Sequence, residues 1–237
     1  MTRTSPLHFL LLAAPLGLSA LGCQSGGVGD PCIPEDEYKQ TFNGYQVTEV
    51  NVESKSFQCE TRVCIVNHFQ GRVSCPYGQL PAIVDPGAGQ LAPNDPARCR
   101  VPGTDGNHCL DKNAAGGVPV PCGPGTYNVD EISVPVDSQR VERNAQDTVY
   151  CSCRCKGPDA TARYCECPSG YECSELVREL GLGAAQLAGS YCIKTGTAFN
   201  PLRQPSNETC YQDSGKAKDS KGRYDIKEIC GPAGTNP

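Results

Sequence analysis

Alternation of hydrophobic and polar residues along the chain predicts short β-strands. Residues 45–52 and 57–66 are rich in β-branched and aromatic side chains and are bounded by turn-forming residues, as strands are. Residues 132–136 have a similar pattern, but Pro135 cannot donate a ladder hydrogen bond and restricts that strand to a sheet edge. The pattern therefore favours short strands separated by irregular loops.

A further alternating segment contains three cysteines. On a strand, Cys151, Cys153 and Cys155 would share one face, because successive side chains point to opposite sides. Three adjacent sulfurs can bridge three neighbouring segments, and the alternative is a thiolate cluster that binds a metal. The chain has no Cys-x-x-Cys pair, on which zinc ribbons and thioredoxin-like sites depend. We therefore expect disulfides and neither a metal nor another cofactor.

One helix is predicted, near residues 174–182. Ser174 is a suitable N-cap, Glu175 lies in the first turn, and apolar side chains follow before Gly181 or Gly183 ends the helix. Residues 79–124 and 196–237 are dominated by Pro, Gly and Asn and are expected to be loops pinned by cysteines. The expected fold class is a disulfide-rich, small-protein-like fold, mostly β and irregular loops with this one short helix.

The first 22 residues have the features of a cleaved secretion signal. Arg3 is followed by an apolar run over residues 7–21, which is shorter than the roughly 20 apolar residues of a membrane-spanning helix. The run ends in Ser-Ala-Leu-Gly-Cys at residues 19–23, and this ending resembles the lipobox of bacterial lipoproteins. The resemblance implies cleavage before Cys23 and attachment of a lipid to its sulfur.

The parity of the cysteine count also bears on Cys23. The chain has seventeen cysteines, so a lipid on Cys23 leaves an even number for disulfides. The alternative is an ordinary signal cleaved after the small-residue site at Leu18 and Ala20, with Cys23 as a plain half-cystine. The predicted half-cystines are Cys32, Cys59, Cys64, Cys75, Cys99, Cys109, Cys122, Cys151, Cys153, Cys155, Cys165, Cys167, Cys173, Cys192, Cys210 and Cys230.

Composition explains the need for so many cross-links. The chain has 26 Gly, 20 Pro, no Trp and five Phe, which leaves little material for a hydrophobic core. Each disulfide stabilises a fold by about 2–4 kcal/mol, chiefly by restricting the unfolded chain, and disulfides persist only in oxidising compartments. We expect a lipidated flexible tether at residues 23–31, a single cysteine-rich domain at residues 32–232 with a possible break near residue 124, and a disordered tail at residues 233–237.

Candidate functional residues are few. His68, Phe69 and Arg72 lie in a short segment between Cys64 and Cys75, and a rigid loop with these side chains is suited to protein recognition. The alternative is a simple connection with Phe69 tucked beneath it.

His108, near Asp105, is the other histidine in a polar turn that could act as a base. No nucleophile elbow, zinc-protease motif or phosphate loop accompanies either histidine, so no enzymatic activity is expected. The alternative is an envelope hydrolase whose acid and base lie on loops.

The expected location is the cell envelope. The run Gly-Asp-Pro-Cys at residues 29–32 and the dense cysteines resemble cysteine-rich lipoproteins of deltaproteobacteria, and Gln24 resembles the residue that directs lipoproteins to the outer membrane. The resemblance implies an anchored protein with a structural or protein-interaction role. Its expected partners are the membrane, through Cys23, and an extracytoplasmic protein. The net charge of −5 argues against a nucleic acid.

Overall fold

The computed structural model describes residues 26–79, 99–111, 119–123, 126–178, 186–202 and 209–210, and the backbone of residues 212–218 and 224–228. It contains one short α-helix, α1 (Ala145–Thr148), and 3₁₀ helices at Glu35–Tyr38 and Val141–Arg143. The strands are β1 (Val50–Glu53), β2 (Val63–Asn67), β3 (Cys109–Asp111), β4 (Pro119–Val120), β5 (Thr126–Asn128), β6 (Val149–Ser152), β7 (Arg154–Lys156), β8 (Tyr171–Val177), β9 (Gly189–Lys194), β10 (Gln212–Lys218) and β11 (Tyr224–Glu228).

The strands form small antiparallel sheets. Three sheets have three strands each, in the orders β1-β2-β6, β4-β3-β5 and β7-β9-β8, and β10 pairs with β11. Within the described part of the chain, no helix is both long and apolar enough to cross a bilayer. The expected class of short strands, irregular loops and many disulfides is therefore confirmed.

The core lies on both faces of the β1-β2-β6 sheet. All four residues of β6 are buried, so neither face of this strand contacts solvent. One face packs in a cluster that includes Cys32, Tyr45, Cys64, Phe69 and Cys151. The other packs in a cluster of Ile65, Tyr150, Tyr191 and Ile193, and the last two belong to β9. This second cluster joins the central sheet to the β7-β9-β8 sheet.

Seven disulfides cross-link the described residues. They are Cys32–Cys64, Cys59–Cys151, Cys75–Cys99, Cys109–Cys122, Cys153–Cys165, Cys155–Cys173 and Cys167–Cys192. Cys210 is also disulfide-bonded, to a partner outside the described residues. Cys23 and Cys230 lie outside the described residues, so the predictions for these two cysteines stay predictions.

The alternating cysteine segment is divided between two strands. Cys151 belongs to β6 and Cys155 to β7, and Cys153 lies at the break between them. Their disulfide partners, Cys59, Cys173 and Cys165, lie in three different segments. Three sulfurs that follow each other at alternate positions therefore bridge three neighbouring parts of the chain, as the sequence predicts.

The predicted helix near residues 174–182 is wrong over its first half. Ser174 to Val177 belong to β8, which pairs with β9 in a register that sets Cys173 opposite Cys192. Residues 179–182 lie outside the described residues. Strand pairing and the Cys155–Cys173 disulfide between β7 and β8 outweigh a local capping signal, because capping is worth only about 1 kcal/mol. The observed helix, α1, begins after Asn144, whose side chain accepts the Asp147 amide at 3.3 Å.

The other predicted strands are shorter than their patterns. In the first two regions, regular strand begins only at Val50 and at Val63, and β1 and β2 end at Glu53 and Asn67. In the third region, Val136 makes only an isolated bridge to Gln79. Two regions expected to be loops contain strands, namely β3 and β4 in one and β10 and β11 in the other. Polar strands such as β10 are not recognisable from hydrophobic alternation, since their pairing rests on backbone hydrogen bonds.

Most of the predicted tether is docked on the folded body. The Gly26 amide donates to the Gln58 carbonyl at 2.8 Å, and the Gly29 amide donates to the Cys151 carbonyl at 2.8 Å. Gly29 has φ +98°, and a β-carbon there would overlap the Tyr171 hydroxyl. The prediction of a flexible tether through residue 31 is therefore corrected: from Gly26 onward the chain belongs to the domain.

Candidate functional site

The segment predicted as a recognition loop is packed inside the protein. Phe69 and Arg72 have no exposed surface, and Phe69 lies in the core cluster beside β2. Side chains without exposed surface cannot contact a partner of the folded protein. This corrects the prediction that they form a recognition tip, and the alternative connection with Phe69 beneath it describes the segment better.

Arg72 holds together the segment around the first 3₁₀ helix. Its guanidinium donates to the main-chain carbonyls of Glu37, Lys39 and Phe42, the last at 2.8 Å. The Glu37 carboxylate in turn accepts the Val73 amide at 2.6 Å and the Ser74 amide at 2.9 Å. Both side chains are fully buried, so this pair is a structural link between the two segments.

Burial raises the pKa of Glu37, although hydrogen bonds from Ser74 and Val73 and the charge of Arg72 act in the opposite direction. A carboxyl whose pKa is higher in the folded state binds its proton more tightly there than in the unfolded chain. Its contribution to stability is therefore fully present below the unfolded pKa of about 4.5 and declines as the pH rises towards the folded pKa.

We expect Glu37→Gln to remove this part of the pH dependence. The free energy of unfolding of the unmodified protein should include a term that falls above about pH 4.5, and the variant should lack that term because glutamine does not titrate. Urea unfolding between pH 4 and 8 measures both slopes. Equal slopes for the two proteins would contradict the prediction, and Glu172→Gln, at an exposed position, is the control.

His68 is half-buried and stacks on Phe199, with ring centroids 3.8 Å apart. Its Nδ1 lies 3.0 Å from the Val47 carbonyl, and its backbone has φ +53°. Burial lowers the pKa of His68, and the nearby Arg143 lowers it further. The His68 ring is thus favoured in its neutral form and packs against Phe199, whereas the sequence predicted that this side chain contacts a partner protein.

Arg143 completes the environment of His68. Its guanidinium donates to the carbonyls of His68 at 3.0 Å, of Thr197 at 2.8 Å and of Asn67, and it lies 5.8 Å from the Phe199 ring centroid. Arg143 therefore joins the end of β2 to the segment after β9. The sequence did not indicate this residue, because an arginine that donates to main-chain carbonyls of distant segments has no local sequence signature.

The second predicted histidine borders an open cavity of about 580 Å³. The cavity is lined by Gly103, Thr104, Asp105, Asn107, His108 and Asp130. The His108 amide donates to the Asp130 carboxylate at 3.1 Å, and the His108 Nδ1 lies 3.9 Å from the other oxygen of that carboxylate. The structure therefore pairs His108 with Asp130, whereas the sequence had pointed to Asp105.

The other polar groups of this cavity are engaged in its own turns. Asp105 accepts the Asn107 amide at 3.0 Å, and the Thr104 hydroxyl donates to the Val101 carbonyl at 2.8 Å. A hydrolytic site needs a nucleophile, or a positioned water, within hydrogen-bond reach of the base. The His108–Asp130 pair provides a possible base with a carboxylate, but none of the lining hydroxyls is directed to it by these hydrogen bonds.

A different surface lies where the chain enters the body. Gly26 pairs with the segment around Cys59, since its amide donates to Gln58 and its carbonyl accepts the Glu60 amide at 2.8 Å. Phe57, next to Gln58, is 83% exposed, and the Arg62 guanidinium lies 4.6 Å from its ring centroid. An exposed aromatic ring with an arginine beside it thus precedes Gln58, the residue whose carbonyl accepts the Gly26 amide.

The cysteines of the described segments also form three close groups. Sulfur atoms lie within 4.8 Å of one another in the groups Cys32/Cys59/Cys151, Cys153/Cys165/Cys192 and Cys155/Cys167/Cys173. All of these cysteines are engaged in disulfides, so the groups are neighbouring bridges. Oxidised sulfurs lack the thiolate charge that binds a metal. In the described state these groups serve as cross-links.

Comparison with known proteins does not extend this description. No protein-family model, curated protein or solved structure matches the chain.

Proposed function

We propose that this protein is a lipid-anchored protein of the bacterial envelope, with a body that serves a structural or protein-interaction role. The many disulfides indicate an oxidising, extracytoplasmic compartment, since such bonds do not persist in the cytosol. Attachment to a membrane, the outer membrane in particular, is the part that we propose. It rests on the lipobox-like ending at Cys23 and on the position of Gly26.

The position of Gly26 is the observation that carries the proposal. Because Gly26 is hydrogen-bonded to the body, the chain between it and Cys23 spans at most about 10 Å. A lipid on Cys23 would therefore hold the body directly against the membrane surface. The segment around Gln58 would then face the lipid headgroups.

The side chains beside Gly26 suit that position. Phe57 is the most exposed aromatic residue among those described, and Arg62 lies over its ring. Aromatic rings are favoured at the membrane–water interface, and arginine can keep its charge among the headgroups while its stem contacts apolar surface. The place of Phe57 next to the anchor supports the proposal.

The alternative of an envelope hydrolase receives less support. Its candidate site is the cavity in which His108 lies beside Asp130, and this cavity is open and lined by residues that bond to their own turns. A body braced by many disulfides is better suited to persistence outside the cell. Three of the bridges, for example, close segments of 12 to 18 residues, and such closed segments are poor protease substrates.

The test of the proposal is the intact mass of the membrane-extracted protein before and after reduction and alkylation. We expect a chain that starts at Cys23 with an acyl mass increment, no free thiol before reduction, and every other cysteine alkylated afterwards. A lipid on Cys23 also leaves Cys230 as the only cysteine available to Cys210. Peptide mapping should therefore find a Cys210–Cys230 bridge.

The matched control is Cys23→Ser, which should carry no acyl mass increment and should keep the same set of disulfides. An unlipidated start near Leu21 would overturn the proposal. So would a bridge between Cys23 and Cys210, because a sulfur in a disulfide cannot carry a thioether-linked lipid. Phe57→Ser should retain the lipid and the fold, since it alters only an exposed side chain.

A further inference from the structure

Three disulfides in and around the β7-β9-β8 sheet form one continuous group of sulfur atoms. We name this group the sulfur cluster; it consists of Cys153–Cys165, Cys167–Cys192 and Cys155–Cys173. The Cys192 sulfur lies 3.6 Å from that of Cys153 and 3.8 Å from that of Cys165. The Cys167 sulfur, bonded to Cys192, lies within 4.8 Å of the sulfurs of Cys155 and Cys173. Each bridge therefore has a sulfur within 4.8 Å of a sulfur of the next.

The sulfur cluster extends from the surface to the core. Cys173 is exposed, Cys155, Cys165 and Cys167 are half-buried, and Cys153 and Cys192 are buried. An external thiol can reach the Cys155–Cys173 bridge first. The buried sulfurs of Cys153 and Cys192 exchange with neighbouring sulfurs, because an external reagent does not reach these two directly.

We propose that the sulfur cluster is a thiol–disulfide exchange relay that accepts reducing equivalents from an external dithiol at the Cys155–Cys173 bridge and passes them to the buried sulfurs. The partner class is an extracytoplasmic dithiol, either a small molecule or the paired cysteines of an oxidoreductase. The relay does not depend on the lipid anchor. It would let the protein hold one of the two resulting thiols among the buried sulfurs, away from the oxidising solution, while the other stays at Cys155 or Cys173.

The first step is ordinary thiol–disulfide exchange. One thiolate of the dithiol attacks the exposed Cys173 sulfur, forms a mixed disulfide and expels Cys155 as a thiolate. The second thiol of the reductant then attacks the mixed disulfide and releases Cys173. The reductant leaves as a cyclic or intramolecular disulfide, and the two electrons and two protons that it lost remain on Cys155 and Cys173.

The next steps move one of these two thiols inward without any further reagent. The thiolate of Cys155 or Cys173 attacks the Cys167 sulfur, forms a new disulfide there and expels the Cys192 thiolate. Cys192 then attacks Cys153 or Cys165, its two nearest sulfur neighbours outside its own bridge. Each step forms one disulfide and breaks one, so the protein keeps two bridges and one reduced pair in the sulfur cluster throughout.

The backbone holds the sulfurs in place while a bridge is open. The Cys192 amide donates to the Cys153 carbonyl at 3.1 Å, and the Cys165 amide donates to the Arg154 carbonyl at 3.1 Å. Cys173 and Cys192 are directly opposite in the β8–β9 register. Because these contacts do not involve the sulfurs, exchange proceeds between groups held close together, where effective concentrations far exceed those in solution.

The other described disulfides do not share this arrangement. Cys109–Cys122 has a half-buried sulfur at Cys122, but neither of its cysteines belongs to a group of close sulfurs in the described part of the chain. The group of Cys32, Cys59 and Cys151 is buried at all three positions and offers no entrance. The Cys109–Cys122 bridge is therefore the natural control, open to a reductant but without a neighbour to exchange with.

The relay is tested with the full-length oxidised protein and one equivalent of dithiothreitol. Exchange is stopped by acid at a series of times, since thiols lose their reactivity when the thiolate is protonated. The protein is then unfolded, alkylated at mildly acidic pH with an excess of a maleimide, which still reacts with thiols while exchange is slow, and mapped by peptide mass. We expect early label on Cys155 and Cys173, followed by label on Cys192, Cys153 or Cys165. We also expect new bridges that include Cys167 with Cys155 or Cys173, and label at Cys109 only together with Cys122.

The matched variants are Cys155→Ala/Cys173→Ala, which removes the entrance, and Cys109→Ala/Cys122→Ala, which leaves it intact. The first should lower labelling of Cys192 at least tenfold at equal times, and the second should leave it unchanged. Label confined to Cys155 and Cys173 in the unmodified protein would overturn the relay. That measurement needs no variant, so the proposal remains testable even if a variant fails to fold.

Discussion

Removal of the Cys59–Cys151 bridge is expected to cost about 4–5 kcal/mol in the free energy of unfolding, the largest such effect among the seven described disulfides. The two cysteines are 92 residues apart, so the bridge closes a long loop of the unfolded chain. Both are buried beside the central sheet, where they join the segment that holds Gly26 to β6. Because the free energy of unfolding of small domains is about 5–15 kcal/mol, this loss would remove most of the stability of a domain at the lower end of that range.

The expected result is measured by urea unfolding of the Cys59→Ala/Cys151→Ala variant at equilibrium. Cys109→Ala/Cys122→Ala is the control, since its cysteines are only 13 residues apart and the same chain-entropy argument gives about 3 kcal/mol. The difference between the two variants, about 1.5–2 kcal/mol, is the part that depends on loop length. If the short-loop variant were as destabilised as the long-loop variant, restriction of the unfolded chain would not be the main source of stability.

The second large effect is expected for Arg72→Met, which should destabilise the fold by about 3–5 kcal/mol. The change removes a buried guanidinium that donates to the carbonyls of Glu37, Lys39 and Phe42. It also leaves the buried carboxylate of Glu37 without its positive neighbour. Unsatisfied buried polar groups account for most of the cost, because methionine fills a similar volume.

Thermal and urea unfolding measure this loss, with Arg163→Met at an exposed position as the control. The control should lie within about 0.5 kcal/mol of the unmodified protein. Adding Glu37→Gln to Arg72→Met should restore part of the stability, since it removes the uncompensated charge. A loss below about 1 kcal/mol for Arg72→Met would show that Arg72 is not a structural link.

The burial of Arg72 and Phe69 shows where sequence reasoning about the site failed. A segment with His, Phe and Arg between two cysteines has the composition of a recognition loop and also of a buried connection. Exposure alone distinguishes the two, and it depends on Glu37 and Phe42, about 30 residues earlier in the chain. Asp130 was missed as the partner of His108 for the same reason, since it lies 22 residues away.

The sulfur cluster shows the same limit for the cysteines. Their number and their spacing predict bridges to several segments, and the structure confirms this for Cys151, Cys153 and Cys155. The identity of the partners was beyond the sequence, because it follows from how β7, β8 and β9 pair. Cys173 and Cys192 are opposite in the register, yet each is bonded to another cysteine.

Composition and cysteine count are sufficient to predict the class of this protein. Scarce large apolar residues, frequent glycine and proline and seventeen cysteines leave a short-stranded fold held by disulfides in an oxidising compartment as the stable solution. Tertiary structure alone decided that residues 174–177 are a strand, that the chain is docked from Gly26 onward, and that Phe69 and Arg72 are interior. Composition is a sum over all residues and can be obtained without knowing which residues meet. Each of these three outcomes depends instead on a few contacts between distant segments, and the energies of those contacts exceed the local preferences of the residues.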